Sequence, residues 1–524
     1  MRLRNYVCGE WKEGAGVDHR LIDPVSGEEL ATISSAGVDM NAALQYARRK
    51  GSPTLQALTY QQRADLLKKI ADVLSVNRAD YFEISRRNLG ATKDDAAFDV
   101  DGAIYTVKQY AKLGQSLSGK LLKDGSAVPL SKSGVFQGQH FLKPLSGAAI
   151  FINAFNFPAW GLWEKAAPAI LSGVAVLAKP ASPTAWLAQR MVEDVVKAGI
   201  LPNGALSILS GSARNLLEHV REDDAISFTG SAQTAVSIRT QPNVAARSVR
   251  VNIEADSLNS TILGPDAAPG GPLFDLLVNE VVREMTLKAG QKCTAIRRIL
   301  VSREHARPLA KAVSDRLASV KVGDPRNQEV QCGPLVNKAQ QASVLEGVRQ
   351  LQQEAEVVFG GTHNFQPVDA DSRVSCFVEP TLLFCEKSLA AEAVNRIEVF
   401  GPVATILPYD LIGDAIEIAK RGSGSLVASV FSDDPEFKHS VVLGIANAHG
   451  RIMVVDGTVS ANHTGHGNVA PNCLHGGPGR AGGGEELAGL RALNHYHRRF
   501  VVQGSPAFIA DLSREAIEST TLYE

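Results

Sequence analysis

Apolar residues recur along this chain in two rhythms, and the change from one to the other divides it. Between 37 and 116 the spacing is mostly three and four. Within that region Gln61–Leu74 carries the single apolar stripe of an amphipathic helix. Before it, 6–35 alternates short strand-like pieces with turns such as Asp23–Gly27. From about Leu121 to Pro144 the pattern is extended and mixed, punctuated by Gly134, Gly138 and Pro144, and predicts a protruding β-ribbon. A ribbon of that kind leaves a free edge, which points to self-association. From Ser146 onward short apolar runs alternate with helical patterns: strands at 148–153, 174–179, 206–209 and 225–228, with helices near 160–172 and 184–198 between them. That alternation predicts a parallel sheet covered on both faces, a doubly wound dinucleotide-type unit whose ligands sit beyond the carboxyl ends of its strands. A second alternating block spans about 259–455, with helices at 272–289, near 305–318 and near 338–354 and a strand at 299–301. The tail around Phe500–Gln503 has the pattern of one more ribbon strand.

Length and composition narrow the classes. At 524 residues the chain is too long for one core and suits two or three domains. A net charge of −1 gives no basic field, so neither nucleic acid nor an anionic membrane is an expected partner. The longest apolar tract, Gly147–Trp160, is broken by Asn153, Asn156 and Pro158 and is shorter than a membrane span. The polar start argues against a secretory signal, and a cytoplasmic protein is expected. Six cysteines are scattered without a C-x-x-C pair, so neither a disulfide framework nor a zinc ribbon is indicated.

One of those cysteines stands apart. Cys293 lies in Gly290-Gln-Lys-Cys-Thr294, where Gly290 permits a tight turn and Lys292 adds local positive charge, the surroundings a reactive thiol needs. A lone cysteine is more often a small buried hydrophobe. Glu254 falls at the end of an alternating run, and Asn156 follows the apolar strand that ends at Ile152, so carboxylate and amide both emerge at strand ends. Taken singly, Glu254 is equally a surface charge and Asn156 a turn former.

With Phe228-Thr-Gly-Ser231 between them, this set resembles the aldehyde dehydrogenase superfamily over essentially the whole chain. The resemblance implies an α/β fold with a Rossmann-type cofactor domain (1–120 and 145–258), an α/β catalytic domain (259–475) and a small β-ribbon oligomerisation element (121–144 and 495–510). A homodimer or tetramer is expected. It implies Cys293 as nucleophile, Asn156 with the Cys293 N–H as oxyanion hole, and Glu254 as the base that hydrolyses a thioacyl enzyme, a role that favours a raised pKa. The G-x-G-x-x-G fingerprint is absent, as it is in that superfamily.

The resemblance also places Lys179 and Ser182 at the adenine ribose, Ser231 by the pyrophosphate, and Glu398 and Phe400 at the nicotinamide ribose and ring. Serine at 182, where a ribose-binding glutamate often stands, favours NADP, because Lys179 can pair with a 2′-phosphate that a carboxylate would repel. A helix N-cap before Pro183 explains the same serine.

Departures from the family pattern bear on substrate. Ala255-Asp-Ser257 follows Glu254, Ala154-Phe155 precedes Asn156, and Ala235 replaces a frequent glycine, which argues against ordinary short aldehydes. The stretch from His463 through His475 and the glycines 476–484 to His497 is similar to the dehydrogenase portion of bifunctional ring-opening enzymes of aerobic phenylacetate breakdown, and implies a CoA-linked semialdehyde. His463, His466, Cys473 and His475 have ligand chemistry, but their spacing fits no standard metal site. No metal is expected. Those glycines suggest a backbone passing close to a ligand, in a loop lining the substrate tunnel, and Glu486 resembles a second family carboxylate that relays protons. A CoA-acylating dehydrogenase, a cysteine hydrolase using a histidine, and a non-catalytic relative remain the alternatives.

Overall fold

In the first large sheet, successive side chains of one strand serve two different cores. Ala149 and Phe151 of the strand Ala148–Ile152 join the cluster built with the helices Tyr60–Val76, Lys93–Gln115 and Trp160–Ser172. Ala148 and Ile150 join Met40, Leu44, Ile226 and Ile253 on the opposite face. Both faces are therefore dry, which is why these strands are short, apolar and parallel. The order across this sheet is Arg250–Glu254, Ala225–Thr229, Ala148–Ile152, Ala175–Lys179, Leu206–Ile208, then Asn5–Val7 and Glu10–Lys12 as an antiparallel edge. This computed structural model describes residues 1–361, 365–514 and 516–518.

The second sheet runs Glu356–Phe359, Thr381–Phe384, Val403–Tyr409, Arg298–Ser302, Ser260–Leu263, Ser425–Phe431 and His449–Val455, parallel except at the first strand. It too sorts alternate residues to two cores, Leu300 and Leu407 to one, Ile299 and Ile406 to the other. The mixed α/β architecture expected from the alternation is the one found.

Helix starts follow the sequence chemistry. Thr59 with Gln62, and Thr92 with Asp95, form reciprocal capping boxes before the helices Tyr60–Val76 and Lys93–Gln115. One end differs from expectation: the helix predicted over 272–289 stops at Thr286, because Lys288 and Ala289 take left-handed φ values of 55° and 51°. The ribbon is made of Leu121–Pro129 and Gln137–Pro144. The tail strand His497–Gly504 pairs antiparallel with the latter, from His497 opposite Pro144 to Gly504 opposite Gln137. Val128, Leu130, Val135 and Val501 are exposed on it.

A hairpin, Leu474–Gly476 with Glu485–Leu487, lies between the two sheets. A Cβ at Gly484 would stand 2.3 Å from the Ile253 carbonyl oxygen, and one at Gly477 would stand 2.3 Å from that of Ser425. The glycine tract thus lets backbone lie on backbone. No helix among the described residues is long and apolar enough to cross a membrane.

Arg298, at the start of a central strand, is fully buried and satisfied only by neutral acceptors. It donates to the carbonyls of Leu258 (2.8 Å), Ile418 (2.8 Å) and Ala419 (2.8 Å) and to Asn395 Oδ1 (2.9 Å). Arg298→Met should leave these acceptors without donors and destabilise the protein by about 3–5 kcal/mol. The midpoint of urea unfolding reads this out, and a loss below about 1 kcal/mol contradicts it.

Candidate active site

The chain around Cys293 is held by its own backbone geometry. Gly290 has φ 66°, and a Cβ there would fall 2.2 Å from the Gly401 carbonyl oxygen, so this loop and the 398–402 segment touch directly. Buried Arg297 ties them together by donating to the carbonyls of Gly290 (2.8 Å), Lys292 (3.2 Å) and Gly401 (2.7 Å). Asn259 Nδ2 donates to the carbonyls of Cys293 (2.7 Å) and Ala295 (3.0 Å), and Asp95 accepts from the Lys288 N–H (2.5 Å). Among the described residues the Cys293 N–H has no acceptor. Lys292 is not the free positive charge the sequence suggested. It is fully buried, and its ammonium is paired with Glu284 at 2.6 Å.

Cys293, Glu254 and Asn156 line one cleft, with Phe98, Glu164, Thr229 and His475 among its other walls. Glu254 ends the strand Arg250–Glu254. Its Oε2 lies 3.1 Å from His475 Nε2, while its buried Oε1 has no hydrogen-bond partner among the described residues. One ligand atom each from Glu254, Cys293 and His475 lie within 4.8 Å of one another.

Behind Glu254, Lys165 Nζ bridges Glu164 (2.8 Å) and Glu486 (3.1 Å), and Asn252 Nδ2 donates to Glu486 Oε1 (2.9 Å). Glu164 and Lys165 were not picked out from the sequence. The available signal is a carboxylate beside an ammonium inside the helix Trp160–Ser172, which is otherwise apolar all round. Asn153, whose amide atoms are buried without partners, lines the same cleft.

Electrostatics follow from this packing. Burial pushes the Glu254 carboxyl up, but the His475 imidazole and the Lys165 ammonium outweigh it and hold it at about 2. That is opposite to the raised value the sequence reading favoured. Burial pushes His475 down, and the Glu254 carboxylate more than reverses this, lifting it to about 9. Burial first, then Glu254, pushes the Cys293 thiol well up. Burial raises Glu486 to about 7 against the pull of Lys165.

The remaining predicted residues lie outside that cleft. Lys179 ends its strand half-buried, carries no ion pair among the described residues, and has its pKa lowered by burial. Ser182 opens the short turn Ser182–Thr184 and is not a helix N-cap; that position belongs to Ala181. Ser231 caps the helix Ala232–Arg239, its hydroxyl accepting from the Thr234 N–H at 3.3 Å, while Asp256 accepts from the Ala232 N–H at 3.0 Å. Glu398 accepts from the Ser257 N–H (3.0 Å) through Oε2; its buried Oε1 accepts no hydrogen bond among the described residues and lies 4.0 Å from Arg297 Nε, and burial raises the group to about 7. Phe400 meets Phe155 edge-on, with ring centroids 5.7 Å apart. Of the four residues weighed as metal ligands only His475 reaches the cleft; His466 instead bonds Ser429 at 2.8 Å.

Residues 11–501 match the aldehyde dehydrogenase family. Over 479 residues the sequence is 64% identical to 3,4-dehydroadipyl-CoA semialdehyde dehydrogenase of Aromatoleum evansii, covering 91% of this chain and 93% of that protein. Among solved structures, a point mutant of betaine aldehyde dehydrogenase from Staphylococcus aureus in complex with NAD+ superposes with a TM-score of 0.84 at 23% identity, covering 96% of this chain and 97% of that one. An aldehyde dehydrogenase from Bacillus cereus, also an NAD+ complex, gives 0.84 at 24% identity with 97% of each chain covered. At these identities the two structures speak for the fold.

Two glycine substitutions separate backbone strain from the close approach at the thiol loop. Gly270→Ala, at φ 79° with nothing within 4 Å of the added Cβ, should cost about 1–2 kcal/mol. Gly290→Ala adds the clash with Gly401 and should cost at least about 2 kcal/mol more, while slowing alkylation of Cys293 by iodoacetamide. Equal unfolding midpoints for the two variants would remove the contact from the account.

Proposed function

The chain belongs to the aldehyde dehydrogenase family, and on that premise we propose that it oxidises a CoA-linked semialdehyde, 3,4-dehydroadipyl-CoA semialdehyde, to the carboxylic acid with NADP. The observation that carries the chemistry is the convergence of a thiol, an amide and a carboxylate with one unpartnered oxygen on a single cleft. The substrate follows the named relative at 64% identity.

The Cys293 thiol gives up its proton to solvent, and the thiolate adds to the aldehyde carbon, forming a C–S bond. The Asn156 amide and the free Cys293 N–H hold the resulting oxyanion, and one such donor typically lowers the barrier by ~3 kcal/mol. Nicotinamide, when bound, accepts the hydride that leaves this carbon. Glu254 then takes a proton from water, whose oxygen attacks the thioester, and the C–S bond breaks to return the thiolate. Glu254 also separates this reading from a CoA-acylating one, in which CoA does the work of water and no such base is needed.

Four features of the chain fit the dinucleotide. Lys179 is a half-buried cation without an ion pair among the described residues, suited to a phosphate, and the hydroxyl of Ser182 is not committed to capping a helix. Oε1 of Glu398, which accepts no hydrogen bond among the described residues, suits a ribose hydroxyl, and Phe400 with Phe155 offers a flat apolar wall. Ser231 would stand near the pyrophosphate. We assign 1–120 and 145–258 to cofactor binding, 259–475 to catalysis, and the ribbon, with its exposed Val128, Leu130 and Val135, to a homodimer or tetramer contact. All six cysteines are free thiols, as a reducing cytoplasm would keep them.

A second reading rests on His475: a thiol, an imidazole and a carboxylate together could serve a cysteine hydrolase. Loss of substrate without reduction of a nicotinamide cofactor would select it.

Cys293→Ala should abolish cofactor reduction while leaving fold and cofactor binding intact. Glu254→Gln should give one burst of reduced cofactor per site and then stall, whereas undiminished steady turnover removes the base. Ser182→Glu should shift kcat/KM toward NAD by about tenfold or more, since a carboxylate repels the 2′-phosphate. A panel of CoA-linked and free semialdehydes assayed with NAD and NADP tests substrate and cofactor together.

A further inference from the structure

Both carboxylate oxygens of Glu254 are buried, yet only one has a partner. Oε2 meets His475 Nε2 at 3.1 Å, and Oε1 has none among the described residues. Such an arrangement fixes the rotation of the carboxylate plane and leaves Oε1 for whatever stands beside the Cys293 sulfur. The imidazole is itself rigidly placed. His475 sits opposite Glu486 in the hairpin, whose glycines lie against the backbone of both sheets.

Titratable groups stand near the imidazole on several elements. The helix Trp160–Ser172 supplies Glu164 and Lys165, the strand Arg250–Glu254 supplies Glu254, the partner strand supplies Glu486, and the thiol loop supplies Cys293. Carboxylate oxygens of Glu164, Glu254 and Glu486 come within 4.8 Å of one another. Lys165 and His475 are the two cations that hold the Glu254 carboxyl down within this group.

We propose that His475 is a positioning residue for hydrolysis of the thioacyl enzyme: as imidazolium it holds Oε2 of Glu254, aims Oε1 at the water that attacks the thioester, and keeps that carboxylate ionised beside Glu164 and Glu486. The inference rests on the reading of Glu254 as base. In the step itself the water proton goes to Oε1, the water oxygen bonds the acyl carbon, and the C–S electron pair returns to sulfur. The imidazolium neither gains nor loses a proton. The sign of the pH effect follows from the packing. With His475 in place the Glu254 carboxyl lies near 2, and the base is ionised throughout the neutral range. Without that charge, burial and the neighbouring carboxylates push the carboxyl up, so the acid limb of steady turnover moves to higher pH.

Stopped-flow reduction of NADP by 3,4-dehydroadipyl-CoA semialdehyde, run on the full chain with His475→Phe, His475→Gln and Glu254→Gln, tests this. His475→Phe should keep a burst of one reduced cofactor per site, with the following steady rate down about tenfold or more. His475→Gln, which can donate to Oε2 without charge, should recover most of that rate at alkaline pH but with its acid limb displaced upward by about one unit or more. Should the phenylalanine variant fail to fold, the glutamine variant carries the same pH readout. A steady rate and acid limb within twofold and a few tenths of a unit of wild type in both variants would overturn the proposal. So would loss of the burst in proportion to the steady rate. If Glu254→Gln itself turns over undiminished, the base assignment falls and the role of His475 falls with it. If Glu254→Gln stalls while the His475 variants do not, only the positioning role fails.

Discussion

One buried guanidinium joins the two loops on which everything else at the site depends. Arg297 gathers the carbonyls of Gly290, Lys292 and Gly401, lies 4.0 Å from Glu398, and has its cation over the Phe400 ring. Carbonyls that would otherwise repel one another converge because a single fork of donors satisfies them. The left-handed turn before Cys293, the direct contact of Gly290 with Gly401 and the placement of Glu398 and Phe400 are consequences of that convergence. The thiol loop and the segment proposed for the nicotinamide ribose are therefore one rigid piece.

A second theme is the density of buried charge behind the cleft. Glu164, Lys165, Glu254, His475 and Glu486 are all nearly inaccessible, and each is paired or bonded within the group. Such a set is costly to build and gains little stability over apolar packing. Its value lies in holding a carboxylate in a chosen ionisation state next to a thiol. The same logic explains Lys292, whose charge serves Glu284 rather than Cys293.

Much of this was legible in the sequence because it depends on local rhythm. Strands that bury both faces must be short and apolar, and Ala148–Ile152, Ala175–Lys179 and Ala225–Thr229 fall where that rule puts them. Cys293, Glu254 and Asn156 could be singled out because each sits at a break between a strand or helix and a turn. What local rhythm could not give was pairing across long separations. Nothing near Glu254 announces His475. The helix ending at Thr286 failed for a related reason: Leu287, Lys288 and Ala289 are good helix formers, but Asp95 and Arg297 bind their turn in another conformation. The glycines of 476–484 carried a true signal of close approach, and the strands that approach them, at Ile253 and Ser425, lay beyond the sequence.

The hairpin between the sheets has a consequence for biosynthesis. Asn252 and Glu486, which it brings together, are 234 positions apart. A ribosome releases the first of them long before the second. Until the hairpin has emerged, the strand that ends in Glu254 lacks its cover, and the nascent chain holds a carboxylate and a thiol that are not yet a site. Competence thus waits for the hairpin to close over the first sheet.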